Sequence, residues 1–144
     1  MAKIPKWANE LVVAVYEETN YPLPQITWRR YRAKKYPPEN FDGEMITPHK
    51  PKPFYSTGHA YPTRNRIVVT TGKSRKDQKL VLLHELAHLL APKKEHHGEK
   101  FWQIAWKLYR KYKVPINYAK KREYSYIKMS RKVFLNTKAT PSQA

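Results

Sequence analysis

Apolar positions along the chain fall into two alternating or β-branched runs and three stretches with helical spacing. Ile4 to Asn20 reads as a helix: Pro5 suits its first turn, and Trp7, Leu11, Ala14 and Val15 form an apolar stripe. Gln25 to Ala33 alternates from Ile26 through Trp28 and reads as a strand. Pro37 to Pro53 is rich in proline and turn-prone, hence a loop. Phe54 to Tyr61 has room for a short strand, and Thr63-Arg64-Asn65 is a turn. Arg66-Ile67-Val68-Val69-Thr70-Thr71 is the best strand by β-branched content, and its sequence alone fits a sheet edge and a sheet centre equally well. Leu80 to Ala91 is nearly continuously apolar, and Ser74-Arg75-Lys76-Asp77 before it matches a capping box, with Ser74 as the cap. Phe101, Ala105, Leu108 and Tyr112 repeat at helical spacing beside Trp102, Trp106 and Tyr109, and Pro115 interrupts the chain just beyond them. This order predicts an α+β fold: a short, mostly antiparallel sheet packed on flanking helices.

The run from Leu80 to Ala91 contains His84-Glu85-Leu86-Ala87-His88, an H-E-x-x-H motif. Residues four apart on a helix share a face, so His84 and His88 can offer two imidazoles to one metal ion. Glu85 sits one residue on, where it reaches a water at the metal rather than the metal itself. A core helix excludes His and Glu unless they have partners, and a metal supplies one. A catalytic zinc takes three protein ligands and leaves one position open. Pro92 ends the helix, and the loop Lys93-Lys94-Glu95-His96-His97-Gly98 leads into the next apolar segment. His97 and His96 both stand where a side chain can swing back to the metal, with Glu95 and Glu99 as weaker rivals.

Length, charge and cysteine content narrow the classes. A chain of 144 residues suits one domain, expected over residues 1–134 with a basic segment at about 116–134 and a flexible tail at 135–144. No apolar run is long enough to span a membrane, and the N-terminus lacks the apolar stretch of a secretory signal. There are no cysteines, which excludes disulfides and thiolate ligands and fits a reducing cytoplasm. The formal net charge is +18, from 29 Lys+Arg against 11 Asp+Glu. Such an excess favours a polyanion partner through counterion release. Lys120, Lys121 and Arg122 form a run close to Tyr118, Tyr124 and Tyr126. Basic groups track phosphates and rings stack on unpaired bases, so Lys120, Lys121, Arg122 and Tyr124 are candidate nucleic-acid contacts, with single strands preferred. A solvated basic surface is the plainer account of the same residues.

His84-Glu85-Leu86-Ala87-His88 followed by His97-Gly98-Glu99-Lys100-Phe101-Trp102 resembles the SprT-like metallopeptidases, the Spartan-type zincins, which pair H-E-x-x-H with a downstream H-G-x-x-[FW] element. The likeness covers roughly residues 54–112; Glu99 stands where that family often has proline, and the loop between the motifs is short. The resemblance implies a small zincin-like domain with His84, His88 and His97 as ligands of one zinc ion and Glu85 as general base. It also implies a zinc-dependent endopeptidase that acts on DNA-associated or DNA-crosslinked proteins. Tyr118, Tyr124, Tyr126 and His59 are the candidates for stabilising the oxyanion. Two other classes fit parts of the sequence: a nucleic-acid-binding module with a structural or vestigial zinc site, and a metal-dependent hydrolase of a non-protein substrate. Glu85 speaks against a purely structural metal, which needs no adjacent base.

Overall fold

A computed structural model of the protein describes residues 3–30, 56–72, 74–93, 96–123, 130 and 132–133. Its elements in chain order are α1 (Lys6–Glu17), β1 (Gln25–Arg30), β2 (Thr57–Tyr61), a 3₁₀ turn (Pro62–Arg64), β3 (Arg66–Thr71), α2 (Arg75–Leu90), α3 (Glu99–Lys111) and α4 (Ile116–Glu123). The expected Pro37–Pro53 loop, Tyr124, Tyr126 and the tail beyond Val133 lie outside the described residues. The fold is α+β, as the sequence pattern predicts. Among the described residues no helix is long and apolar enough to cross a membrane.

The three strands form a mixed sheet in the order β1-β3-β2. β3 pairs with β1 in parallel, Ile26 opposite Ile67, and with β2 antiparallel, His59 opposite Val68. β3 is therefore the central strand, and Ile67, Val68 and Val69 are buried. Of the two placements open to it, the structure selects the middle, and among the described residues β1 and β2 flank it as edges. Physically, a run apolar on both faces belongs where both faces are covered. Thr57-Gly58-His59-Ala60-Tyr61, poor in β-formers, tolerates an edge with most of its residues exposed. Asn65 takes the left-handed conformation (φ 48°) in the turn, which asparagine tolerates. Its side-chain amide donates to the carbonyls of Pro22 and Leu23 at 3.1 and 3.2 Å, and its own carbonyl accepts from Gln25 at 2.9 Å. The turn thereby sets the register at which β1 enters beside β3.

α2 packs against β2, β3 and α3. Residues 80 to 87 are buried all round, as an apolar helix without a polar face requires. α3 is amphipathic and turns Phe101, Trp102, Ala105, Trp106, Leu108 and Tyr109 inward. A large apolar side chain taken from water contributes about 1.5–3 kcal/mol, far more than any helix propensity, so packing decides that this segment is helical. α1 buries Ala8, Leu11, Val12, Val15 and Tyr16, and Trp7 meets Trp28 edge to face at 5.9 Å.

α4 has no counterpart in the hydrophobic pattern, since only Ala119 and Glu123 of its eight residues are buried. Polar contacts hold it instead. Arg122 Nε lies 2.9 Å from Asp77 Oδ1 in α2, and its terminal nitrogen donates to the Ser56 carbonyl at 3.0 Å. Asp77 is fully buried and also accepts from the Ser56 backbone N–H and the Tyr118 hydroxyl. The Ser56 hydroxyl accepts from Gly72 N–H at 2.7 Å. One carboxylate thus joins α2, α4 and the entrance to β2.

The capping box is not formed. Ser74 occupies the N-cap position of α2, but its side chain makes no capping bond. Asp77 is drawn into the core by Arg122, Tyr118 and Ser56, and a desolvated carboxylate with a cation and two donors outweighs a solvated cap. Asp77→Ala is expected to destabilise the fold by about 3–5 kcal/mol, because it removes a fully buried carboxylate that three groups share and leaves the partly buried Arg122 without its counter-charge. Ser74→Ala is expected to cost less than the ~1 kcal/mol typical of a capping serine. Denaturant melts of both variants check the ordering.

Candidate metal centre and active site

The imidazoles of His84, His88 and His97 meet at one point, their ligand atoms all within 4.8 Å of one another. His97 Nε2 lies 3.2 Å from His84 Nε2 and 3.2 Å from His88 Nε2. Tetrahedral Zn–N bonds of about 2.0–2.1 Å place neighbouring ligand nitrogens about 3.3–3.4 Å apart. The spacing therefore fits a single ion that the three imidazoles would hold tetrahedrally. Three neutral nitrogens turned on one another without a cation is an arrangement a core otherwise avoids.

Each ligand is positioned by its element. His84 and His88 stand one turn apart on α2. Between α2 and α3 the chain reverses through His96, held at φ 48°, and this turn delivers His97 just ahead of the N-cap Gly98. His96 itself is exposed at the rim of the cleft, and Glu99 is exposed on the first turn of α3. Glu95 and His49 lie outside the described residues. Phe101 stacks on His88 (4.1 Å, 27°) and meets His84 and His97 edge-on at 4.9 and 5.0 Å. Trp102 lies parallel to His97 at 5.9 Å. The aromatic residues of the H-G-x-x-[FW] element are thus the wall against which the three imidazoles are set.

Glu123 of α4 completes the site. Its Oε1 is 2.9 Å from His84 Nδ1 and accepts a hydrogen bond from the Tyr109 hydroxyl at 2.5 Å. With Nδ1–H donating to this carboxylate, Nε2 of His84 is left with its lone pair toward the metal position. Burial depresses the His84 pKa most strongly, but the bond to Glu123 and its charge, helped by Glu85, raise it overall. His88 and His97 go the other way. Burial first, then the neighbouring histidines, brings His88 down to about 3; burial and His84 bring His97 down to about 4. Both are neutral at pH 7, the form a metal needs.

Glu85 is buried between α2 and the edge strand. A Cβ on Gly58 would fall 2.6 Å from Glu85 Cγ and 2.7 Å from its Oε2, so only glycine lets β2 close over this carboxylate. Desolvation pushes the Glu85 carboxyl up to about 7, with Glu123 adding to the rise and His84 opposing it. Two clefts open from it along β2. One, of about 370 Å³, holds the three histidines and is rimmed by His59 and His96; the other, of about 320 Å³, runs past Thr57, Leu80, Val81 and Arg122. They share Gly58, His84 and Glu85, so the site sits midway along a groove beside the edge strand.

Of the other expected groups, His59 lines the cleft, whereas the Tyr118 hydroxyl is committed to Asp77. Lys121 is exposed and Lys120 half-buried, and Arg122 is drawn inward to Asp77 and Ser56 rather than offered at a surface. Tyr124 lies outside the described residues. No local pattern marks Gly58. Glu123 carries one signal: it is the lone acidic residue in the basic stretch from Val114 to Phe134.

Residues 42–105 match the family described as IrrE N-terminal-like domain, a family of zincin-like metallopeptidases. The match covers the edge strand, the central strand, α2 and the start of α3, with all three converging histidines. Over these residues the chain is similar to a metallopeptidase domain; the narrower SprT-like resemblance is not what this match returns. No curated protein and no solved structure matches the chain.

Replacing His84, His88 or His97 by Ala is expected to abolish stoichiometric zinc binding, and His96→Ala to retain it; metal analysis of the purified variants decides. Zinc held by His96→Ala and His97→Ala alike would show that His97 is no ligand. Glu123→Gln keeps an acceptor beside His84 but removes the charge, and is expected to weaken zinc affinity by about 10–100-fold. A competition titration against a chelator measures it.

Proposed function

We propose that this protein is a zinc-dependent endopeptidase of the SprT-like type, acting on proteins bound or crosslinked to DNA. The observation that carries the peptidase reading is the juxtaposition of three converging imidazoles, a buried Glu85 and an exposed edge strand along one groove. A hydrolase of small non-protein substrates has no need of the strand.

His84, His88 and His97 would hold the ion, which, when bound, supplies Lewis acidity toward water and the scissile carbonyl. β2, at an edge of the sheet among the described residues, offers its backbone to an extended polypeptide, which adds as a further strand and lays its carbonyl over the shared centre of the two clefts. Glu85, with its carboxyl near neutral, takes the proton of the attacking water and passes it to the leaving amine nitrogen. Gly58 keeps the strand close enough to hold that carboxyl out of bulk solvent. His59, on the cleft wall, is the candidate for stabilising the oxyanion. Phe101 and Trp102 close the rear of the histidine cluster against water.

Two observations support a DNA-linked substrate: the +18 charge and the resemblance carried by His97-Gly98-Glu99-Lys100-Phe101. The preference for single strands rests on Tyr124 and Tyr126 next to Lys120 and Lys121.

Glu85→Gln is the decisive variant. Its rate on a protein substrate, with and without single-stranded DNA, is expected to fall by at least about 10²–10⁴, while zinc content and melting temperature stay near wild type. Undiminished hydrolysis in Glu85→Gln would sink the mechanism. A wild type that binds DNA and zinc but cleaves nothing would favour a binding module over an enzyme.

A further inference from the structure

Three cations from two parts of the fold act on one another at the start of α2. Arg75 and Lys79 lie four apart on one face, and Lys113 comes in from the turn after α3. Burial, then the charges of Lys113 and Arg75, hold the Lys79 ammonium below its ordinary pKa. Asp77, the one acidic residue in this first turn, is buried and spent on Arg122, Tyr118 and Ser56. The arrangement works against the fold in two independent ways. Basic residues at a helix N-terminus oppose the macrodipole, and like charges four apart repel. Lys113 also stands at φ 61°, in the left-handed conformation that glycine adopts without strain. The bond from Val114 N–H to the Tyr109 carbonyl at 2.9 Å marks it as the residue just past a helix end, where glycine is the usual choice. A lysine there brings a charge to the cluster at a conformational cost.

We propose that Arg75, Lys79 and Lys113 form a docking surface for the phosphate backbone of nucleic acid. The proposal rests on the nucleic-acid part of the function proposed above and not on its peptidase part. An anionic lipid surface fits less well, because docking there also needs apolar anchors. The large apolar side chains exposed among the described residues are Val13, Tyr21, Leu23 and Tyr61, none of them on α2, α3 or the turn after α3. Phosphates suffice as the ligand: Lys76 Nζ covers the Tyr118 ring at 4.6 Å, and that ring offers no open face for a base on this side. Arg75 and Lys79 also face away from the groove. Each helical residue turns about 100°, so they are separated from His84 by about 180° and about 140° around α2. Nucleic acid docked behind the helix leaves β2 free to take a polypeptide.

The test is an anisotropy titration of the full chain with a labelled DNA duplex at several salt concentrations. Each phosphate contact contributes about 0.9 to the slope of log affinity against log salt. The triple variant Arg75→Gln/Lys79→Gln/Lys113→Gln is expected to lower that slope by about 2.7, and Lys113→Gly alone by about 0.9. The glycine variant is also expected to melt no lower than wild type, which separates lost contact from lost fold. Cleavage of a DNA-free peptide by these variants should be unchanged. An unaltered slope in the triple variant overturns the proposal. If Lys120→Gln/Lys121→Gln removes the slope instead, the surface lies on α4, and the nucleic-acid reading survives without this site. If the wild type binds no DNA at low salt, both fall; if it binds anionic vesicles and not duplex, the partner is a lipid surface and the proposal is wrong.

Discussion

α2 is buried all round from Leu80 to Ala87 and a turn earlier at Asp77, yet these buried positions include Asp77, His84 and Glu85, and the rest of the molecule is arranged around satisfying those three groups. An unpaired polar group in such a place costs several kcal/mol, so each must find its partner in the fold. Asp77 takes Arg122, Tyr118 and the Ser56 N–H. His84 takes Glu123 on one ring nitrogen and faces its fellow histidines with the other. Glu85 lies under a strand that only Gly58 allows to approach. Adjacent residues of α4, Arg122 and Glu123, serve two of the three, which explains why so polar a helix is docked at all.

This arrangement makes the site rigid from behind and open in front. Behind the imidazoles stand Phe101, Trp102 and the Tyr109–Glu123 pair. In front, β2 exposes its edge beside a groove that passes over Glu85 in both directions. Rigid ligands and an open backbone edge are what peptide hydrolysis at a metal requires, since the substrate must be aligned before the water attacks. The same polar contacts couple the ends of the structure. Asp77 joins the entrance of β2 to α4, and α4 in turn orients His84 in the histidine cluster, so the strand and the candidate metal site are held by one network.

Charge is distributed with a different logic. Arg122, in the most basic run of the sequence, is consumed inside the protein, while Arg75 and Lys79 of α2 and Lys113 beyond α3 act on one another's charge nearer the surface. A net charge is a property of the composition, but which cations act together depends on which are free of internal acids.

The sequence by itself determined the α+β class, the course of α2 and α3, the strand Arg66–Thr71 and the pair His84 and His88 with Glu85 between them. These are local patterns: periodicity, β-branching and a four-residue repeat survive without tertiary context. It narrowed the third histidine to two neighbours and the strand Arg66–Thr71 to two positions in a sheet. Only the tertiary structure brought His97 rather than His96 to the cluster, because a single left-handed residue sets which of them turns back. Only the tertiary structure put Thr57–Tyr61 at an edge beside the histidine cleft, because an edge is defined by which strand, among the described residues, lacks a second neighbour. Asp77 reads locally as part of a cap, and Glu123 as a stray acid in a basic tract. Their roles come from partners 45 and 39 residues away, and long-range pairing of buried charge leaves no periodic trace in the chain.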